Sequence, residues 1–296
     1  YSGFAGETRM EIGYVALNVF LTHIFQDTLV GFHVLLFITS VFCYGALEQW
    51  IERHAITYGI CVITFYFLLN QSYMSAIRQS VAVGFILWAL MAMEDLNGRK
   101  RYIVYALLIA FATLFHKTAV VALIFPFLMK REYTRNTTWL LMLITLVATL
   151  TNVVSSVISI LGLRTGYVTT EIGNAVNVGV VSLLYFALLL LRLICDNSSY
   201  IMDEGTADIE NTAYGDSFYT YCIALSLAVT VMSLRAAGMS RLNMYLQLVG
   251  LPYVSNIMRR IENQRVAFIV KVVFSMAIWG YSVIALIYRP EWQDIW

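Results

Sequence analysis

The chain is a succession of apolar stretches, each near the length that crosses a bilayer, with little polar sequence between them. A spanning helix needs roughly 20 apolar residues. Stretches of this kind run over 29–47, 55–70, 72–93, 102–115, 118–129, 138–159, 177–195, 217–235, 242–256 and 266–288. Charge is scarce: 12% of the 296 residues are charged and 60% are hydrophobic. A soluble domain carries about 25% charged residues, so this chain lacks the polar sequence to cover a water-facing surface. The expected fold is an all-α integral membrane protein, a polytopic bundle of about ten transmembrane helices. It is read as a single transmembrane domain over 1–296, without an obvious internal repeat.

A few segments depart from that pattern. The apolar stretch 102–129 is broken at His116-Lys117, which leaves two short helices or a re-entrant hairpin open. Segment 12–26 is short and carries Ile12, Ala16, Val19, Phe20 and His23 on one helical stripe. It reads as an amphipathic helix lying in the membrane interface. The one strongly polar loop, 196–216, holds Asp203, Glu204, Asp208, Glu210 and Asp216, and reads first as a solvated connection. The cysteines, Cys43, Cys61, Cys195 and Cys222, lie in or beside apolar runs without a CxxC pair, as small apolar helix residues do. The chain opens at Tyr1 with no signal-peptide pattern, and further N-terminal helices are expected upstream.

Net charge is uninformative, because 19 basic and 18 acidic residues nearly cancel to +1. Placement says more. Basic clusters stand at Arg99-Lys100-Arg101, at Lys130-Arg131 with Arg135, and at Arg259-Arg260 with Arg265. Counting the spans alternately brings all of them to one side, which the positive-inside rule makes cytoplasmic, with loop 196–216. A second, dispersed set then falls near the opposite face: Arg78, His116, Lys117, Arg164, Arg235 and Arg241, with Glu11.

A cation in hydrocarbon costs about 2.5–3.5 kcal/mol on insertion scales, so it normally faces a partner, a cavity or the bundle interior. Arg78 shares a helical face with Ser75, Gln79 and Ala82, a small polar patch around a guanidinium. Snorkelling to the interface is the plain alternative. His116 marks a chain reversal beside Lys117, where a structural hydrogen bond and a functional role are both open. Arg235 and Arg241 bracket a turn, and Arg241 and Tyr245 are i, i+4 on one helix face. Two guanidiniums at one turn can clamp a phosphate by bidentate contacts, or serve as ordinary loop charge. Arg164, in Gly162-Leu-Arg-Thr-Gly, reads more simply as loop charge. Glu11 begins the interfacial helix, as an N-terminal carboxylate favoured by the helix dipole or as a general base. Arginines, a histidine and a carboxylate on one membrane face suit an anionic lipid-linked substrate. No nucleotide-binding glycine loop, HExxH or DxD-type pair accompanies them, so no metal or cofactor is expected, nor a nucleic-acid partner.

These residues also carry a family likeness. Ala76-Ile-Arg78-Gln79-Ser-Val-Ala82 resembles the (M)RQ-x-x-A motif of the EpsG family, and Leu114-Phe-His116-Lys-Thr-Ala its FH-x-(S/T)-A motif. Glu11-Ile-Gly-Tyr is similar to its E-x-G-(F/Y) segment, and Arg241-Leu-Asn-Met-Tyr245 to a late R-x-x-x-Y segment. The Gly-Thr-Asp-Tyr-like segment that precedes these in the family is not matched here. The family is similar to Wzy-type polysaccharide polymerases. The resemblance implies a GT-C-like architecture and metal-independent glycosyl transfer, inverting or retaining, at the outer face of the bacterial cytoplasmic membrane. An undecaprenyl-pyrophosphate-linked oligosaccharide would be extended into exopolysaccharide, capsule or O-antigen, with a flippase and a chain-length regulator as partners besides the bilayer.

On that footing Arg78, Arg235 and Arg241 are expected to hold the donor pyrophosphate, and His116 or Glu11 to take the acceptor's proton. Gln79, Tyr245, Arg164 and Lys117 are supporting residues, and Tyr14, Tyr73 and Tyr167 candidates to stack on sugar rings. The alternatives are an O-antigen-ligase-like or acyl transferase on lipid-linked glycans, and a flippase or transporter. Transporters tend to show broken helices in matching halves, and only the break at His116 is visible here.

Overall fold

The computed structural model describes residues 11–70, 73, 76–150, 172–197, 215–233, 239–261 and 263–288. Every regular element among them is helical, with 12 α-helices. They are α1 (Ile12–Ile24), α2 (Thr28–His54), α3 (Tyr58–Thr64), α4 (Ile77–Asp95), α5 (Arg99–Phe115), α6 (Phe125–Leu128), α7 (Arg135–Leu150), α8 (Ile172–Asn197), α9 (Gly215–Ser233), α10 (Met239–Val249), α11 (Pro252–Arg259) and α12 (Gln264–Tyr288). A π-turn, Phe65–Leu69, extends α3, and a 3₁₀ segment, Lys117–Ile124, leads into α6. Three helices among the described residues are long and apolar enough to cross a membrane: α2, α4 and Gln264–Val283 of α12. The chain forms two compact units, Tyr1–Trp50 with Tyr73–Leu123, and Ile51–Ser72 with Ile124–Trp296.

The first unit is built on α4. This helix is apolar all round, which suits burial on every side, and Val81, Ala82, Val83, Ile86, Leu87, Ala89 and Leu90 are all buried. Between apolar surroundings, helix association rests on close packing, which small residues permit. Gly84 is the tightest such point, since a Cβ there would fall 2.6 Å from a ring carbon of Phe42 on α2. After α4 the chain turns at Gly98, whose φ of 65° lies in the left-handed region that glycine tolerates. It returns as α5, the most extensive partner of α4.

At Phe115 α5 stops. His116 is extended, with φ −154° and ψ 114°, and its backbone N–H closes the helix on Ala112 O. The Tyr105 hydroxyl donates to Ala122 O at 2.5 Å. Tyr105 lies about 15 Å back from Phe115 at 1.5 Å per residue, so the 3₁₀ segment must run back along α5. The break at His116 is therefore a hairpin in which the second arm is 3₁₀ rather than α.

Helix α1 follows its periodic stripe: Ile12, Ala16, Val19, Phe20 and His23 are all exposed. Its opposite side packs on α5, where a Cβ at Gly13 would meet Leu114 O at 3.0 Å and Leu114 Cβ at 3.1 Å. The apolar stripe is thus turned outward and the glycine inward.

The second unit gathers Phe218, Tyr219 and Cys222 of α9, Tyr245 and Val249 of α10, and Tyr253 and Ile257 of α11 into its core. Here the expected span 242–256 is corrected: α10 ends at Val249 and α11 starts at Pro252. Pro252 has no N–H to continue the ladder and takes the first position of a new helix, where none is needed. Polar groups in this core pair with one another. Ser226 Oγ donates to Asn243 Oδ1, Asn243 Nδ2 to Thr230 Oγ1, and Thr230 Oγ1 to Ser226 O, at 2.5, 2.6 and 2.7 Å.

Candidate functional site

Of the sequence-predicted residues, the first unit brings Glu11, Arg78 and His116 together. Glu11 is the N-cap of α1 with extended backbone. Arg78 sits in the first turn of α4, and His116 caps the C-terminus of α5. The α1–α5 contact at Gly13 and Leu114 sets this geometry, because each partner lies two residues from the residue it places. The carboxylate of Glu11 is shared. Its Oε2 accepts a hydrogen bond and ion pair from Arg78 Nη1, and its Oε1 lies 3.3 Å from His116 Nδ1. The Glu11 and His116 side chains are 12% and 10% exposed, whereas Arg78 is 41% exposed. The Arg78 guanidinium also stands 5.9 Å from the centre of the Tyr14 ring, at cation–π distance.

The cluster is confined to one end of the α4–α5 pair. Arg99–Arg101 begin α5, and α5 has 17 residues, so the basic cluster lies about 25 Å from His116 along the helix. The basic cluster and His116 thus stand at opposite ends of α5. Gln79, next to Arg78, is buried, and Lys117, next to His116, is exposed.

Other expected residues fall elsewhere. Arg241 begins α10 in the second unit and is exposed, while Tyr245, one turn on, is fully buried. Tyr73 is 2% exposed and donates to Cys43 O at 3.1 Å. Its ring is part of the packing against Tyr44, which leaves it unsuited to stack on a sugar. Arg164, Tyr167, Arg235, Ser75 and the acidic residues 203–210 lie outside the described residues, as do residues 1–10.

The second unit holds a charge cluster that the sequence reading missed. Asp216, assigned there to a solvated loop, is instead in the first turn of α9 and 11% exposed in its side chain. Its Oδ2 accepts from Arg192 Nη1 at 3.0 Å and from Arg260 Nη2. Arg192 also donates to Thr220 Oγ1 and lies 5.3 Å from the centre of the Tyr133 ring. The signal was present: Arg192 interrupts the apolar run Leu188–Cys195, and a charge inside such a run requires a partner.

Among the described residues all regular structure is helical, three helices are long and apolar enough to cross a membrane, and a carboxylate, a histidine and an arginine cluster at one end of the α4–α5 pair; together these define a class, the polytopic helical membrane proteins with a polar site. The chain belongs to the EpsG family, whose profile matches residues 1–293. That membership points to a role in exopolysaccharide synthesis. No curated protein matches the chain, and no solved structure does.

Proposed function

We propose that the protein is a polysaccharide polymerase, a metal-independent glycosyltransferase of the bacterial cytoplasmic membrane working at its outer face. It would join undecaprenyl-pyrophosphate-linked oligosaccharide repeat units within a GT-C-like bundle of about ten spans. The observation that carries this is the meeting of Glu11, Arg78 and His116. Three residues from three helices, far apart in sequence, supply a proton acceptor, a carboxylate and a cation in one place, the parts that glycosyl transfer to a hydroxyl needs.

In the proposed step the acceptor hydroxyl oxygen attacks the anomeric carbon of the donor. The bond from that carbon to the pyrophosphate oxygen breaks, and lipid pyrophosphate leaves with the electron pair. The hydroxyl proton passes to the cluster, a transfer worth about 10²–10⁴ in rate when the acceptor is in reach. Guanidiniums are the proposed pyrophosphate contacts, since they offset charge growing on the leaving group. Arg235 and Arg241 are proposed for that contact, with Arg164 in support.

The test is Arg78→Ala in cells that depend on the protein for polymer. Polymer should vanish and single lipid-linked repeats accumulate, with the protein still in the membrane. Wild-type chain lengths in that variant would overturn the proposal. The nature of the product separates the alternatives: a glycan moved whole to another carrier marks a ligase, an acylated sugar an acyltransferase, and translocated but unextended units a flippase.

A further inference from the structure

We infer that Glu11 is a positioning residue for His116, that His116 is the proton acceptor, and that Arg78 holds Glu11 rather than the pyrophosphate. This rests on the transfer reaction proposed above and assigns roles within it.

The argument starts from the carboxylate. An ionised carboxylate only accepts hydrogen bonds. Facing it at 3.3 Å, His116 Nδ1 must carry the ring proton to be attracted. In a neutral imidazole the lone pair is then on Nε2. The carboxylate favours the tautomer in which Nε2 is the basic atom; Nε2 is buried in the ligand-free protein, so the acceptor reaches it only by opening the cluster. The 3.3 Å contact is an approach and not a formed hydrogen bond; such contacts in ligand-free sites often tighten on substrate binding. The His116 backbone closes α5 on Ala112 and precedes the 3₁₀ segment, which fixes where the side chain starts.

Glu11 itself is poorly placed to be the acceptor. One oxygen carries Arg78 and the other faces His116. A proton moved to Glu11 would weaken both contacts, because they depend on its negative charge.

Charge decides the role of Arg78. Its +1 is matched by the −1 of the carboxylate it touches. A phosphate brought to this guanidinium would be drawn by one charge and repelled by the other at nearly the same distance. Local attraction for a dianion is largely cancelled, whereas a neutral sugar hydroxyl meets no such opposition. The cluster suits the acceptor. The charged neighbour in sequence, Lys117, is exposed.

The chain of dependence runs Arg78 to Glu11 to His116, and kinetics on the purified protein with lipid-linked repeat units separate it from the rival roles. Glu11→Gln keeps the shape but lets an amide NH₂ face Nδ1, which favours the wrong tautomer. It should lower kcat by about 10²–10⁴-fold, as loss of a proton acceptor does, and leave the donor KM within a few-fold. His116→Ala should do the same, and the double variant should be no worse than either single one, because residues acting as a unit are not additive. Arg78→Ala should lower kcat at nearly constant donor KM, and Arg78→Lys should restore most of it. Losses that multiply in the double variant would make Glu11 an independent base. A raised donor KM with kcat retained in Arg78→Ala would make Arg78 the pyrophosphate clamp. Either result overturns this assignment while leaving polymerisation intact. Wild-type protein that forms no polymer would overturn both.

Discussion

Gly13→Ala is the perturbation whose consequence can be followed atom by atom. An alanine Cβ at position 13 would lie 3.0 Å from Leu114 O and 3.1 Å from Leu114 C and Cβ. Carbon contacts are comfortable from about 3.5 Å, and the opposing atoms are largely backbone, so a side-chain rotation cannot relieve the clash. Helix α1 must withdraw from α5 by about 0.4 Å. Gly13 is two residues from Glu11 and Leu114 two from His116, so the displacement reaches the 3.3 Å gap between those side chains almost undiminished. The gap opens to about 3.7 Å, further still from the roughly 3.2 Å at which the two side chains would be in hydrogen-bond reach. Misplacement by 1 Å costs about 10²-fold in rate, so roughly 5–10-fold is expected here. Stability changes less. Overpacking costs about 1–3 kcal/mol, and replacing glycine inside a helix gains about 1 kcal/mol, for a net loss near 0–2 kcal/mol. The assay is polymer formed per unit of membrane-inserted protein, with detergent melting as control. A Gly13→Ala protein with wild-type turnover would refute the claim that the α1–α5 contact sets the site.

Asp216→Ala leaves the Arg192 and Arg260 guanidiniums buried or half-buried without their shared carboxylate. Breaking such a pair costs about 3–5 kcal/mol, so the protein level in the membrane should collapse, and Asp216→Glu should recover part of it. Tyr105→Phe removes the hydroxyl that ties the 3₁₀ arm to α5; a loss of about 1 kcal/mol is expected in thermal melting, since Ala122 O stays buried without that donor. Asn256→Ala loses three bonds, from Ile56 N at 3.0 Å, from Ser255 Oγ at 2.8 Å and to His54 O at 3.1 Å. That turn between α2 and α3 should open, with about 1–3 kcal/mol of destabilisation and earlier proteolytic cleavage near residue 55.

The helical, membrane-spanning nature of the chain was legible because apolar length is a direct consequence of bilayer thickness. The chain reversal at His116 was legible too, since a histidine and a lysine interrupt an apolar run. That the returning arm would be 3₁₀ was not, because local sequence does not set that choice. The break before Pro252 was readable from proline's missing N–H and was overlooked inside an otherwise apolar segment. At the candidate site, the residue types and positions of Glu11, Arg78 and His116 stood out, but not their pairing. Nothing in the spacing says that Glu11 is divided between a guanidinium and an imidazole; that depends on Gly13 allowing α1 to lie against Leu114. Asp216 was hidden for a related reason: in an acidic segment, one carboxylate that turns inward looks like those that stay in water.

The most direct test of polymerisation at this cluster is a reconstitution of the purified protein into liposomes with lipid-linked repeat units alone. The account predicts a ladder of lengthening glycans and release of lipid pyrophosphate with the wild-type protein, and neither with His116→Ala inserted at the same level. Repeat units that remain unextended by the wild-type protein, or a wild-type ladder from His116→Ala, would contradict it.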